Sequence, residues 1–301
     1  MVSEQSRGTL YAVAAYFLWG IAPMYFKLLK DIAAPELLTH RVIWSCVLLL
    51  GLLLVMKRLN RVRAVFRQAR QWQTLLLTAC LIATNWGLFI WAINSDHMLD
   101  ASLGYYINPL INVALGLLFL GERLRKLQWL ALALAFGGVL VQLITFGSLP
   151  WIALVLAFSF GFYGLLRKKV PVDPLAGLFL ETLLLLPAAL AYLWLLDSPS
   201  SDLLANTWQL NGLLVLAGVV TTVPLLCFIA AAQHLPLSVL GFFQYIGPSI
   251  TFALAVLLYG EAFSADKVVT FGFIWAALVV FSLDAWRGQQ KKRRQLKAGA
   301  G

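Results

Sequence analysis

Displaced by 139 positions, the chain matches itself. Tyr106-Ile107-Asn108-Pro109 falls on Tyr245-Ile246-Gly247-Pro248 and Gly121-Glu122 on Gly260-Glu261, and nine of the 17 positions from 106 to 122 are identical without a gap. At the same offset Phe89-Ile90 meets Phe228-Ile229 and Ala92 meets Ala231; Gly20 and Lys27 match Gly161 and Lys168 with a shift of 141. Apolar helices share residues by chance because they draw on few types. A proline and a Gly-Glu pair held in register across 13 residues are not explained that way. The chain is a duplication, and its fold must be two copies of one unit.

That unit is written in apolar runs. They lie at roughly 8–29, 35–56, 72–95, 100–120, 128–146, 149–167, 174–196, 211–233, 238–259 and 267–286. Each is near the ~20 residues that cross a hydrocarbon core. The first is too long for a signal-peptide apolar region and has no small-x-small site at its end. Composition closes the soluble alternative: 61% of the 301 residues are apolar and 12% charged, against about 45–50% and 25% in soluble domains. So little polar surface cannot cover a globular core. An ordinary cytosolic enzyme, a disordered regulator and a disulfide-stapled secreted module are excluded. Cys46, Cys80 and Cys227 all lie inside apolar runs without metal-ligand spacing, so neither a disulfide framework nor a metal site is indicated, and no cofactor is expected. The expected fold is an all-α integral membrane protein of ten transmembrane helices. Its repeats would occupy 1–146 and 147–286, with a basic tail at 287–301.

Charge gives the orientation. Of the 23 Lys and Arg, 19 fall at the N-terminus, in the second, fourth and sixth connections and in the tail. Only Lys27, Lys30 and Lys267 fall on the other side, and Arg41 lies within a span. By the positive-inside rule both termini are cytoplasmic. The net charge of +10 is therefore a topology code rather than a nucleic-acid-binding surface. Five spans per repeat is an odd number, so the second copy enters the membrane upside down. The basic loop after the second span corresponds to 197–210, which has no Lys or Arg. Inverted repeats create two related conformations open to opposite sides, the physical basis of alternating access.

Transporters of this construction bind at matched helix interruptions. Pro109 and Pro248, in the fourth and ninth spans, each remove a backbone donor. Ser102, Tyr105, Asn108, Asn112 and Gly116 share one face at helical spacing, and their repeat partners are Gly241, Gln244, Gly247, Thr251 and Ala255. The stripe has two readings, close helix packing with amide hydrogen bonds or the lining of a cavity, and the two overlap. Gly20 with Pro23 and Gly161 with Gly164 mark matched hinges in the first and sixth spans. Asn85 is the deepest polar residue of the third span. The substrate-binding candidates are thus Asn85, Tyr105, Tyr106, Asn108, Asn112, Gln244, Tyr245 and Thr251; the hinge candidates are Gly20, Pro23, Pro109, Gly161, Gly164 and Pro248. Arg41 and Glu181 each lie about 10 Å inside their spans from opposite faces, which disfavours a direct pair. With His40 they are the candidates for ion or proton coupling.

The strings AAYFLWGIAPMYFK, LTHRVIWS, NWGLFIWAIN, ASLGYYINPL, FLGERLRKLQWLALALAFGGVLVQL, AFSFGFYGLLRKK and TTVPLLCF, with FGSLP and LGFFQYIGP, span nearly the whole chain. In them it resembles the drug/metabolite transporter superfamily, its EamA-domain proteins and, within those, the RarD branch. The resemblance implies a bacterial inner-membrane permease for a small-molecule substrate, without ATPase or covalent chemistry. It carries over no substrate, direction or site residue, and a monomer and a homodimer are both compatible with it. Two rivals come from other classes. A membrane scaffold or sensor would not need matched prolines and polar stripes. An intramembrane enzyme would need a convergent nucleophile and base, yet His40, His97 and His234 are scattered and no HExxH or GxSxG occurs.

Overall fold

The structure, a computed structural model, describes residues 4–94, 98–147, 150–195, 200, 202–258 and 265–298. They form α1 (Glu4–Lys27), α2 (Ala34–Val55), α3 (Leu59–Phe66), α4 (Ala69–Asn94), α5 (Met98–Leu120), α6 (Lys126–Phe146), α7 (Trp151–Lys169), α8 (Pro174–Leu195) and α9 (Trp208–His234). The chain continues through α10 (Leu237–Gln244), α11 (Ile246–Ala253), a π-helical turn (Leu254–Leu258) and α12 (Ala265–Ala298). Lipid offers no partner to backbone N–H and C=O groups, so helices that satisfy them internally are the only open-chain solution. Among the described residues nine helical segments are long and apolar enough to cross, the one at Leu237–Leu258 being assembled from three pieces. α4, with 26 residues, is about 39 Å long, which is length enough for a tenth. Large side chains such as Leu118 (78% exposed) and Ile144 (72%) lie bare on the outside, where acyl chains take the place of water.

Helix packing obeys the repeat. α1 packs on α9 and α4 on α7; α2 packs on α9 and α4 on α8; α5 packs on α7, and α10 and α11 on α1. Each pairing is the image of its partner under exchange of the two halves. The remaining major pairs, α2 with α8, α5 with α10 and α6 with α12, join an element to its own image. A pseudo-two-fold therefore runs between α5 and α10.

Glycines set the close approaches. A Cβ on Gly20 would lie 2.7 Å from Ile250 Cβ, and one on Gly161 2.7 Å from Ile111 Cγ2, the same packing role in the two halves. Gly241 admits the carbonyl of Pro109 at the α5–α10 crossing, where a Cβ would lie 2.7 Å from that oxygen.

Three features add to the sequence reading. The second connection contains α3, whose Val62 and Val65 are buried. α12 runs on as a helix through residues 287–298. The matched prolines also do not break both spans. α5 is continuous through Pro109, whereas the ninth span breaks at Tyr245, between α10 and α11. Pro248 has no N–H for the carbonyl of Gln244, four residues back, and the helix stops there. Ser249 answers by donating both its N–H and its hydroxyl to Tyr245 O, at 3.2 and 2.8 Å. Gly260 and Glu261, the second Gly-Glu pair, lie outside the described residues.

Candidate substrate site

The axis of the repeat is marked by an amide pair. Asn112 of α5 donates from Nδ2 to Gln244 Oε1 of α10 at 2.7 Å, with both residues buried. Two acceptors beside it, Asn108 Oδ1 and Asn112 Oδ1, are buried without a partner among the described residues. Buried polar atoms in that state are costly unless a ligand or water pairs with them. Against this centre stands an aromatic cluster from α1, α7 and α9. Tyr16 and Trp19 lie 5.6 Å apart, Trp19 meets Phe160 at 5.8 Å, and Phe228 sits 4.9 Å from Phe160 and is stacked on Tyr163 at 6.3 Å. Tyr16 Oη is likewise buried and unpartnered.

The other binding candidates are dispersed. Asn85 Nδ2 donates to Leu156 O (2.8 Å) and Ser159 Oγ (3.0 Å), tying α4 to α7. Thr251 Oγ1 donates to Gly20 O at 3.2 Å, tying α11 to α1. Tyr245, 1% exposed, packs with Phe242 and Phe281, and its hydroxyl reaches Tyr106 O at 3.3 Å. Tyr106 faces Phe271 of α12. Tyr105 is 47% exposed and its ring lies on Phe89. Of the hinge candidates, Pro23, Gly161 and Gly164 sit within unbroken helices, as do Gly20 and Pro109.

The three coupling candidates occupy three environments. His40 Nε2 lies 3.1 Å from Ser200 Oγ, and Ser200 donates its N–H to Glu36 Oε1 at 2.8 Å, pinning the connection before α9 to the start of α2. Arg41 Nε donates to Thr221 Oγ1 at 2.8 Å, and its guanidinium lies over the rings of Trp86 (5.1 Å) and Phe26 (5.6 Å). Glu181 is paired with a residue the sequence reading counts as a loop charge. Arg167 is 0% exposed, its Nε is 3.6 Å from Glu181 Oε1, and it reaches Pro174 O at 3.4 Å. Thr78 and Tyr163 donate to the same carboxylate at 2.5 and 3.2 Å. Gly177, one turn before Glu181, leaves the space that the guanidinium fills. Arg167 lies one turn beyond Tyr163 on α7, and that spacing is the only sequence signal of its inward face.

Two further residues were legible only as part of a motif or a topology code. The Glu122 carboxylate accepts the first free N–H groups of α10, from Leu237 (2.6 Å) and Ser238 (2.8 Å). Lys168 donates to Ala232 O (2.8 Å) and Leu235 O at the end of α9. Anion at a helix start and cation at a helix end both oppose the local dipole. The α9–α10 turn is thus held from the α5–α6 connection and from α7 at once. Glu122→Gln replaces one acceptor oxygen by a donor facing an N–H. It is expected to lower stability by about 1–3 kcal/mol, read as an earlier thermal melt of the purified protein, while Arg123→Gln at the next position leaves the melt within about 0.5 kcal/mol.

The profile of the EamA-like transporter family matches residues 6–144 and again 149–283. An "Uncharacterized transporter" of Vibrio cholerae is 61% identical over 97% of both chains. "Protein RarD" of Escherichia coli is 55% identical over 97% of this chain and 99% of its own. A "Chloramphenicol-sensitive protein RarD" of Pseudomonas aeruginosa is 34% identical over 96% and 98%. One solved crystal structure superposes with a TM-score of 0.72 at 18% identity, over 93% of this chain and 98% of its own, which shows a shared fold.

Proposed function

The chain belongs to the EamA-like transporter family, and from that membership we propose a secondary carrier that moves a small organic solute across the bacterial inner membrane by alternating access. As a multi-pass membrane transporter it needs two conformations of nearly equal energy, and exchange of the roles of two inverted halves supplies them. The observation that carries the reading is the paired packing of the halves about α5 and α10, with the Asn112–Gln244 bond on the axis and unpartnered acceptors beside it. In this proposal both termini are cytoplasmic, following the basic residues. The solute is an amino acid or another amphiphilic metabolite that aromatic and amide groups can stack on and hydrogen-bond. The chloramphenicol sensitivity in one relative's name fits a drug-like solute handled directly or an effect of metabolite movement.

A thermal-shift screen of the purified protein against a metabolite library tests this, with hits taken into proteoliposome counterflow. Asn108→Ala and Gln244→Ala are expected to reduce the ligand-induced shift by at least half relative to each variant's own ligand-free melt. A shift that survives both places the site away from α5 and α10. Proton coupling has its own test: His40→Gln and Glu181→Gln that both leave pH-gradient-driven uptake unchanged remove these residues from it.

A further inference from the structure

The molecule holds two arginines at membrane depth, and they are treated oppositely. Arg167 is sealed from solvent and faces the Glu181 carboxylate. Arg41 is only partly buried, and among the described residues no Asp or Glu forms an ion pair with it. It uses one of its five N–H donors, the one to Thr221. Its two terminal nitrogens have no hydrogen-bond partner among the described residues, and unlike Arg167 Nη1 they are not enclosed by protein. Intramembrane cations ordinarily pair with a counter-charge; here the rings of Trp86 and Phe26 offer partial compensation. The nearest phenols do not supply an anion. Tyr25 spends its hydroxyl on Leu213 O at 2.8 Å, and Tyr105, half exposed with its ring on Phe89, has a hydroxyl that bonds to no described residue. Phe26 of α1 and Trp86 of α4 thus lie against the uncompensated guanidinium that α2 presents, with Tyr105 of α5 nearby.

We propose that Arg41 is the receptor for a carboxylate on the transported solute, and that Phe26, Trp86 and Tyr105 wall the apolar part of the same molecule. The inference rests on the carrier reading above and narrows its substrate class to small organic monoanions with a planar apolar group. A carboxylate matches the guanidinium fork with two parallel hydrogen bonds. One negative charge brings the site to neutrality; a dianion would leave net charge in low-dielectric surroundings at a cost of the same kind as the empty site. The loaded site is then cheaper to enclose than the empty one, so exchange of solute for solute is expected to outrun net flux.

The experiment is calorimetric titration of the purified full chain with benzoate, phenylacetate and cyclohexanecarboxylate, each beside its uncharged primary amide. At least one acid is expected to bind, with its amide at least tenfold weaker. Arg41→Gln is expected to abolish that difference and Arg41→Lys to retain part of it. Equal binding of acid and amide, no binding by any of the three acids, or undiminished selectivity in Arg41→Gln overturns the inference. Should Arg41→Gln not fold, the acid–amide comparison on the unaltered protein decides. Counterflow in proteoliposomes separates this inference from the carrier reading. Acid-selective binding without counterflow of any bound acid sinks transport through this site and leaves the receptor standing. Counterflow of a screen hit without acid-selective binding does the reverse.

Discussion

Glu181→Leu is expected to destabilise the protein by about 3–5 kcal/mol, because it leaves a guanidinium buried without its counter-charge. Arg167 is fully enclosed, with Nε and Nη1 already lacking full hydrogen bonds, and it cannot swing to solvent without vacating the space over Gly177. Thr78 and Tyr163 also lose their shared acceptor. Glu181→Gln keeps an acceptor for both hydroxyls but not the charge, so it is expected to fall only part-way back. Arg167→Met with Glu181→Leu removes both charges and is expected to recover most of the loss, since replacing a whole buried pair by apolar groups is often neutral. Thermal melts of the unaltered protein, Glu181→Leu, Arg167→Met and the doubly substituted protein make a double-mutant cycle. Losses that merely add would mean that the two groups are uncoupled, against the 3.6 Å geometry.

The second large effect is steric. A methyl group on Gly218 would stand 2.5 Å from the carbonyl carbon of Trp44 and 2.7 Å from its oxygen. These are backbone atoms of α2, so α2 and α9 must separate, and Gly218→Ala is expected to cost about 1–3 kcal/mol. Gly218→Val should exceed that and lower the yield of folded protein. Gly87 and Gly212 are the controls, since neither would-be methyl group meets anything within 4 Å. Alanine there removes a flexible helical glycine and is expected to raise stability by up to about 1 kcal/mol. A Gly218→Ala protein that melts with the controls would mean that α2 and α9 do not meet as described. Composition distinguishes none of these glycines from the others; only the neighbouring helix does.

Much of the architecture was legible along the chain because its causes are local or periodic. An apolar run long enough to cross the bilayer must be a helix, and a repeat in register must be a repeated unit. The amide pair was half legible. Asn112 and Gln244 stood out as polar residues on matched spans, but Gln244 aligns with Tyr105 rather than with Asn112, so their bond follows from how α5 crosses α10. Tyr106 and Tyr245 had the same polarity and depth as Tyr105, yet they face the α12 side, a matter of rotation about the helix axis that few-residue spacing does not set. Basic residues carry the opposite ambiguity. Arg167 and Lys168 serve the topology count as well as any loop charge, while one enters a buried pair and the other holds the end of α9.

By itself the sequence determined that the chain lies in a membrane, that it is a five-helix pattern written twice and inverted, and that few charges lie at depth. Hydropathy, repetition and charge asymmetry act one segment at a time and need no knowledge of neighbours. The tertiary structure alone decided which deep arginine is neutralised and which is not, which proline breaks its helix, and which glycines hold helices together. Each of these depends on what an adjacent helix presents a few ångströms away.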